Sequence, residues 1–177
     1  MKFTISATEL NAKLIALAKV MNSKVALPIY STFLLELKDG VLRITASDMD
    51  CSRCSTLPVI DMDGANGHSE SICVTASFLL DSLKNLGDQP VTFEADEENL
   101  SVVIRYNNGQ FDMVGFPAKD YVLPGTMEKN VKATIEASVL NDSIGKSLYA
   151  VGNDDLRPIF CGIYFTKKGD ELQCARS

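Results

Sequence analysis

Three groups of side chains have the residue types that chemistry requires. Cys51 and Cys54, spaced Cys-x-x-Cys and followed by His68 and Cys73, have the donor types and roughly the spacing of a zinc site. Asp48 and Asp50 alternate along a strand-like run, share a face, and could pair as acid and base or bind magnesium, with His68 as a third group. Asp61-Met62-Asp63-Gly64 resembles the opening of a calcium loop, but the later ligands are missing, among them the glutamate that binds through both oxygens, so it reads as a turn. None of the three closes into a site. Residues three apart on a strand face opposite ways, so Cys51 and Cys54 leave no tetrahedral set and the thiols should be metal-free. His68 follows the loop Asp63-Gly64-Ala65-Asn66-Gly67, and a solvated strand edge is the competing reading of the aspartates. Phosphate-cradling glycine loops, nucleophile elbows and dinucleotide fingerprints are absent from the sequence. No catalytic residue, metal or cofactor is expected.

The elements that would position these residues repeat along the chain. An offset of 130 residues carries Lys2, Thr4, Ile5, Ala7, Leu10 and Asn11 onto Lys132, Thr134, Ile135, Ala137, Leu140 and Asn141, and Pro28, Ile29, Lys38 and Leu42 onto Pro158, Ile159, Lys168 and Leu172. A weaker copy at an offset of 69 carries Ile5, Leu10, Leu14 and Leu17 onto Val74, Leu79, Leu83 and Leu86. One supersecondary unit therefore occurs three times. Each copy opens with a β-leaning run, Phe3 to Ala7, Ile72 to Ala76 and Ala133 to Ala137. A hydroxyl follows, Thr8, Ser77 or Ser138, placed to cap a helix. Behind it come apolar residues at helical spacing: Leu10, Leu14, Leu17, Ala18 and Met21; Leu79, Leu83 and Leu86; Leu140, Ile144, Leu148 and Val151. A hairpin comes next, Ile29 to Leu37 and Val41 to Ala46 around Asp39-Gly40 in the first copy, and Ile159 to Phe165 and Glu171 to Ala175 around Lys168-Gly169-Asp170 in the third. The pattern predicts an α+β fold with helices on one face of largely antiparallel sheets. Two units make a sheet of sensible width, so a first domain ends near Lys119 to Gly125. The third unit then begins a domain with no partner, and the chain reads as a truncated piece of something longer.

At 177 residues and 46% hydrophobic content, the chain has the composition of one or two globular domains. Glu9 and Lys13 interrupt any signal-peptide core, and no apolar run approaches membrane-spanning length, so a cytoplasmic location without membrane association is expected. Five cysteines, an odd number, argue for reduced thiols. A net charge of −6 argues mildly against nucleic acid, yet charge is uneven. Lys2, Lys13, Lys19, Lys24 and Lys38 face only Glu9 and Glu36 in the first 38 residues, whereas Asp88, Glu94, Asp96, Glu97 and Glu98 gather near one hairpin.

Several segments taken together resemble one family. They are MKFTISATEL at the start, Leu27-Pro28-Ile29, Leu42-Arg43-Ile44-Thr45-Ala46-Ser47-Asp48, Phe116-Pro117-Ala118-Lys119-Asp120-Tyr121, and Asn153-Asp154-Asp155-Leu156-Arg157-Pro158 through Gly162-Ile163-Tyr164-Phe165. In order and over the full length, the chain resembles the bacterial DNA polymerase III β subunit, the sliding clamp. The resemblance implies a duplicated clamp fold, with residues 1–125 as the N-terminal domain and 126–177 as the first, truncated half of the central domain. It implies, for the full-length protein, a homodimer ring of head-to-tail subunits around double-stranded DNA. That ring is non-catalytic and holds DNA polymerase III and clamp-loader subunits, with sequence-blind, salt-sensitive phosphate contacts. Helical spacing places Lys19 opposite its apolar stripe and Lys84 and Lys146 well off theirs, where they could face DNA. Lys24 and Arg157 match basic positions in two DNA-contacting loops of the family, whereas Ser77 and Phe78 stand where some members carry a basic pair. Phe111 and Met113 match apolar positions of the subunit interface, and Phe160 one wall of the partner peptide groove. A chain stopping at Ser177 should neither close the ring nor hold a polymerase. Two rival readings are a metal-dependent nuclease built on Asp48, Asp50 and His68, and a protein-interaction scaffold that never touches DNA.

Overall fold

The computed structural model describes residues 1–21, 27–48, 51–63, 69–123, 125, 134–152, 156–169 and 171–176. Two compact units divide the chain, Met1–Thr126 and Met127–Ser177.

The first unit holds the first two repeats. Repeat one runs β1 (Lys2–Ser6), α1 (Ala7–Ala18), a 3-10 turn (Pro28–Ser31), β2 (Thr32–Lys38), β3 (Val41–Ser47), β4 (Ser52–Pro58) and β5 (Asp61–Asp63). Repeat two runs β6 (Glu70–Thr75), α2 (Ala76–Leu83), β7 (Pro90–Ala95), β8 (Ser101–Tyr106), β9 (Gly109–Val114), β10 (Phe116–Pro117) and a 3-10 turn (Ala118–Asp120). These strands form two five-stranded antiparallel sheets, in the orders β5-β1-β7-β8-β9 and β10-β6-β2-β3-β4. The opening strand of each repeat is thus exchanged. β1 lies against β7 of the second repeat, with Ile5 opposite Val91, and β6 lies against β2 of the first, with Val74 opposite Phe33. A strand that returned through a helix to pair with its own successor would lie parallel to it, by a crossover. Exchange makes every neighbour antiparallel and welds the two repeats together.

Alternation puts one face of each sheet inward. Phe3, Ile5, Val91 and Phe93 come from one sheet and Phe33, Leu35, Leu37, Leu42, Ile44, Ile72 and Val74 from the other, all at most 1% exposed. Leu10, Leu14 and Leu17 of α1 and Leu79 and Leu83 of α2 complete the same cluster, which is why each helix shows one stripe of leucines. Each such side chain contributes roughly 1.5–3 kcal/mol by leaving water. A second, smaller cluster of Tyr30, Leu34, Cys73 and Tyr121 packs apart from it. Between Val114 and β10 a side chain at Gly115 would meet the Cys73 carbonyl oxygen at 2.8 Å, so the backbone passes there only as glycine.

Local expectations were met unevenly. The Asp39-Gly40 hairpin is present, both residues at positive φ as a type I′ turn requires. The capping hydroxyls lie elsewhere. Ser6, not Thr8, caps α1 by accepting from the Glu9 N–H at 3.4 Å, while Thr8 donates to the Gly87 carbonyl at 3.3 Å. Thr75 and Glu136 precede α2 and α3 without a side-chain cap, leaving Ser77 and Ser138 inside the first turn. β1 and β6 each end one residue earlier than the apolar pattern suggests, because the alanine that follows is already the first helical residue. Asp61–Asp63 is no turn but a short strand on the edge of β1. Pro28 and Pro158, lacking an N–H for a ladder, start 3-10 turns, so the strands behind them begin later than Ile29 and Ile159.

The second unit holds α3 (Ala137–Leu148), a 3-10 turn (Pro158–Cys161), and the hairpin of β11 (Ile163–Lys168) and β12 (Glu171–Arg176). Thr134–Glu136, the described remainder of the expected third opening strand, lie in no strand. Among its described residues none reaches the burial of the first unit's core.

Candidate nucleic-acid interface

Burying leucines on one stripe of α1 and α2 leaves their other faces to solvent. Lys19 and Lys84 are exposed and stand at the C-caps of the two helices, just past Leu17 and Leu83, with backbone N–H groups donating to the Leu17 and Leu80 carbonyls. A cation there also meets the negative end of the helix dipole, worth about 0.3–1 kcal/mol. On the exposed faces of both helices, caps included, the charged side chains are Glu9, Lys13, Lys19, Asp81 and Lys84, a balance slightly positive in a chain that is negative as a whole. Ser77 and Phe78 are exposed in the first turn of α2. Lys24 falls outside the described residues.

In the second unit, exposed Lys146 reaches Asp142 one turn back on α3 at 2.6 Å, so its charge is matched locally. Arg157 lies over the ring of Phe160, its guanidinium carbon 5.4 Å from the centroid. Two residues expected to serve different partners therefore touch. Phe160 is 40% exposed and anchored through its backbone, its N–H donating to the Arg157 carbonyl and its carbonyl accepting from Gly152.

Phe111 and Met113 lie on β9, the edge strand of the first sheet, which pairs only with β8 among the described strands. Both are half-buried against the main core, and Phe111 stacks on Tyr106 with centroids 4.9 Å apart. Part of each is thus committed to its own unit.

The cysteines do not converge. Register runs Cys73–Leu34–Thr45–Cys54 across β6, β2, β3 and β4, one lateral row with the two thiols three strand spacings apart. That is about 14 Å, far beyond the about 2.3 Å of a zinc–sulfur bond. Cys51 precedes β4 rather than lying within it, so the opposite-face expectation fails in its details. No group of three metal-ligating side chains assembles among the described residues. Asp48, expected on a strand face beside Asp50, instead lies just past β3, its Oδ1 accepting from the Cys51 N–H at 2.9 Å. A carboxylate so engaged serves its own backbone. Asp50 and His68 lie outside the described residues. Burial pushes the Cys73 thiol up to about 12 and keeps it protonated, with Thr32 hydrogen bonding opposing the shift. The acidic cluster is partly structural too, Asp96 accepting from the Glu98 N–H and Glu97 from the Ser71 N–H. Arg53 belongs to none of the sequence motifs. From β4 its Nη1 donates to the Ala16 carbonyl at 3.0 Å, satisfying an otherwise open acceptor near the end of α1. No local signal marks an arginine that reaches across 37 positions.

Residues 1–124 match the family model for the DNA polymerase III beta subunit, N-terminal domain. The chain belongs to that family. The beta sliding clamp of Bacillus subtilis is 27% identical to it over 177 residues, covering 98% of this chain and 47% of the relative. The beta sliding clamp of Staphylococcus aureus is 24% identical over the same span. The crystal structure of the Bacillus subtilis clamp superposes with a TM-score of 0.87 at 26% identity, and that of the Pseudomonas aeruginosa DNA polymerase III subunit beta with 0.89 at 23%, each covering 99% of this chain and 47% of that one. The chain spans about half the length of the clamp relatives it matches. Its α+β architecture, duplicated strand–helix–meander units with exchanged opening strands, is the beta-subunit clamp fold.

Proposed function

We propose that this chain is part of a DNA sliding clamp, the non-catalytic processivity factor that encircles duplex DNA and tethers DNA polymerase III. Residues 1–125 form its N-terminal domain and 126–177 the first half of its central domain. The family match across the first unit carries the reading, and the two C-cap lysines on exposed helix faces give it a physical means. Lys19, Lys24, Lys84, Lys146 and Arg157 serve as phosphate contacts, with lysine acting as a mobile point charge suited to attraction without sequence reading. Phe111 and Met113 lie at the subunit contact of a two-subunit ring, and Phe160 lines the groove for polymerase and clamp-loader peptides. The location is cytoplasmic, and among the described residues no helix is long and apolar enough to cross a membrane.

The test joins residues 1–177 to the remaining half of the Bacillus subtilis clamp and titrates DNA binding with salt on two unrelated duplexes. Lys24→Ala should weaken both alike and lower the salt slope by about one phosphate contact or less. An unchanged slope and affinity would remove Lys24 from the interface. A loss confined to one duplex would contradict sliding.

A further inference from the structure

The first unit has three arginines, Arg43, Arg53 and Arg105, and they do not share a face. Arg43 stands opposite Glu36 in register and Arg105 opposite Thr92, on the sheet faces turned away from the main core. Each is already matched by an acid, Arg43 by Glu36 at 3.6 Å and Arg105 by Glu94 at 3.2 Å. Arg53 stands opposite Ala46, which is fully buried in the core that both helices join. It therefore lies on the helix side of its sheet, where its Nη1 meets the Ala16 carbonyl of α1. Among the described residues it makes no ion pair, and its side chain is exposed.

The surroundings of that contact favour an anion. Ala16 lies three residues from Lys13 and three from Lys19, so the guanidinium joins a stripe of α1 that already carries two exposed lysines. Glu9, the acid of that helix, lies about two turns before Ala16. An open carbonyl near the end of a helix carries partial negative charge and would repel a phosphate. Arg53 covers it. With Nη1 so committed, the edge formed by Nε and Nη2 keeps two parallel N–H groups, the geometry that matches two oxygens of one phosphate.

We propose that Arg53 is a phosphate-binding residue of the DNA-facing surface, held by Ala16 so that its free edge takes one backbone phosphate through two hydrogen bonds. It differs in kind from the lysines beside it. Its planar group is oriented before DNA arrives, whereas a lysine head is a mobile point charge. The assignment rests on the clamp reading, which brings a duplex to the helix side of the sheets.

The test uses the completed ring described above, carrying Arg53→Gln, Arg53→Lys or, as a control on a face turned away from the helices, Arg105→Gln. Salt titration of duplex binding should give Arg53→Gln a slope smaller by about 0.9, so that a fourfold rise in salt costs it about threefold less affinity than it costs the wild type. Arg53→Lys should restore the slope, because charge sets it. Its complexes should still dissociate about threefold faster than wild type, because an ammonium lacks the fork. Arg105→Gln should change neither quantity. Hydrogen exchange at residues 17–21 of the same variants separates a merely structural arginine. Faster exchange in Arg53→Gln with a wild-type slope would overturn the assignment, as would a slope that Arg53→Lys fails to restore or an equal loss in Arg105→Gln. A wild-type ring that does not bind duplex, or binds it without regard to salt, would sink the clamp reading itself and this assignment with it.

Discussion

Phe3 stacks on Phe93, the ring centroids 5.0 Å apart and the planes 4° from parallel. The two residues open β1 of one repeat and fill β7 of the other, directly opposite in register. Their contact is the exchange in miniature, since neither repeat completes its sheet without the other's first strand.

Phe93→Ala should therefore weaken the whole first unit. Losing a fully buried ring and leaving a cavity costs about 3–5 kcal/mol. Urea unfolding followed by circular dichroism checks it, and a loss below about 1 kcal/mol would mean that the two repeats hold together without this contact.

Arg53→Ala should loosen the end of α1, by about 1 kcal/mol for an exposed hydrogen bond to a charged donor. Hydrogen exchange should quicken at the amides of residues 17–21 and not in α2. Arg53→Lys should recover only part of the protection, because an ammonium lacks the planar fork.

Alkaline pH should destabilise the fold through two buried acids. The Cys73 thiol is held up to about 12 by burial from an ordinary value of 9.0, and the Tyr121 phenol up to about 12 from 10.0, by burial first and the neighbouring Cys73 second. Below pH 9 folded and unfolded chains both keep these protons. Above it the unfolded chain releases what the folded chain retains, so stability falls between about pH 9 and 12, by up to about 1.4 kcal/mol per pH unit for each group. Urea midpoints at pH 8, 9.5 and 10.5 measure the fall. Cys73→Ala should flatten the onset near pH 9, and an unaltered profile would show that the thiol titrates alike in both states.

Much of this fold is legible in the sequence because its helices and hairpins are local. Leucines at three- and four-residue spacing mark α1 and α2, and Asp39-Gly40 marks its turn. The exchange of β1 and β6 is not legible, since periodicity says which face of a strand is apolar and nothing about which strand lies beside it. The N-cap positions lie two residues before the expected hydroxyls because Ala-Thr and Ala-Ser resemble a helix start whether the hydroxyl precedes the first turn or lies within it. Cys54 and Cys73 looked like co-ligands by spacing, and only the register shows the two strands between them. Exposed Lys19 and Lys84 follow from the helical wheel. The Asp142 partner of Lys146 was readable at i, i+4, and the Arg157–Phe160 contact depends on a 3-10 turn that the sequence did not announce.

Lys19 and Lys146 should differ as phosphate contacts. In a ring completed as above, Lys19→Ala should lower the salt slope of DNA binding more than Lys146→Ala, because Asp142 already neutralises Lys146 at 2.6 Å. Asp142→Asn should raise affinity by releasing that lysine. Equal effects of the two lysines would show that the pair opens on DNA.

The most direct measurement of the clamp reading is topological. The completed ring is loaded on a nicked circular duplex, separated from free protein, and the DNA is then cut once. The account predicts retention on the circle and release from the cut DNA within the time of sliding to an end, with blocked ends restoring retention. Equal retention on circular and linear DNA, or none on either, would contradict it.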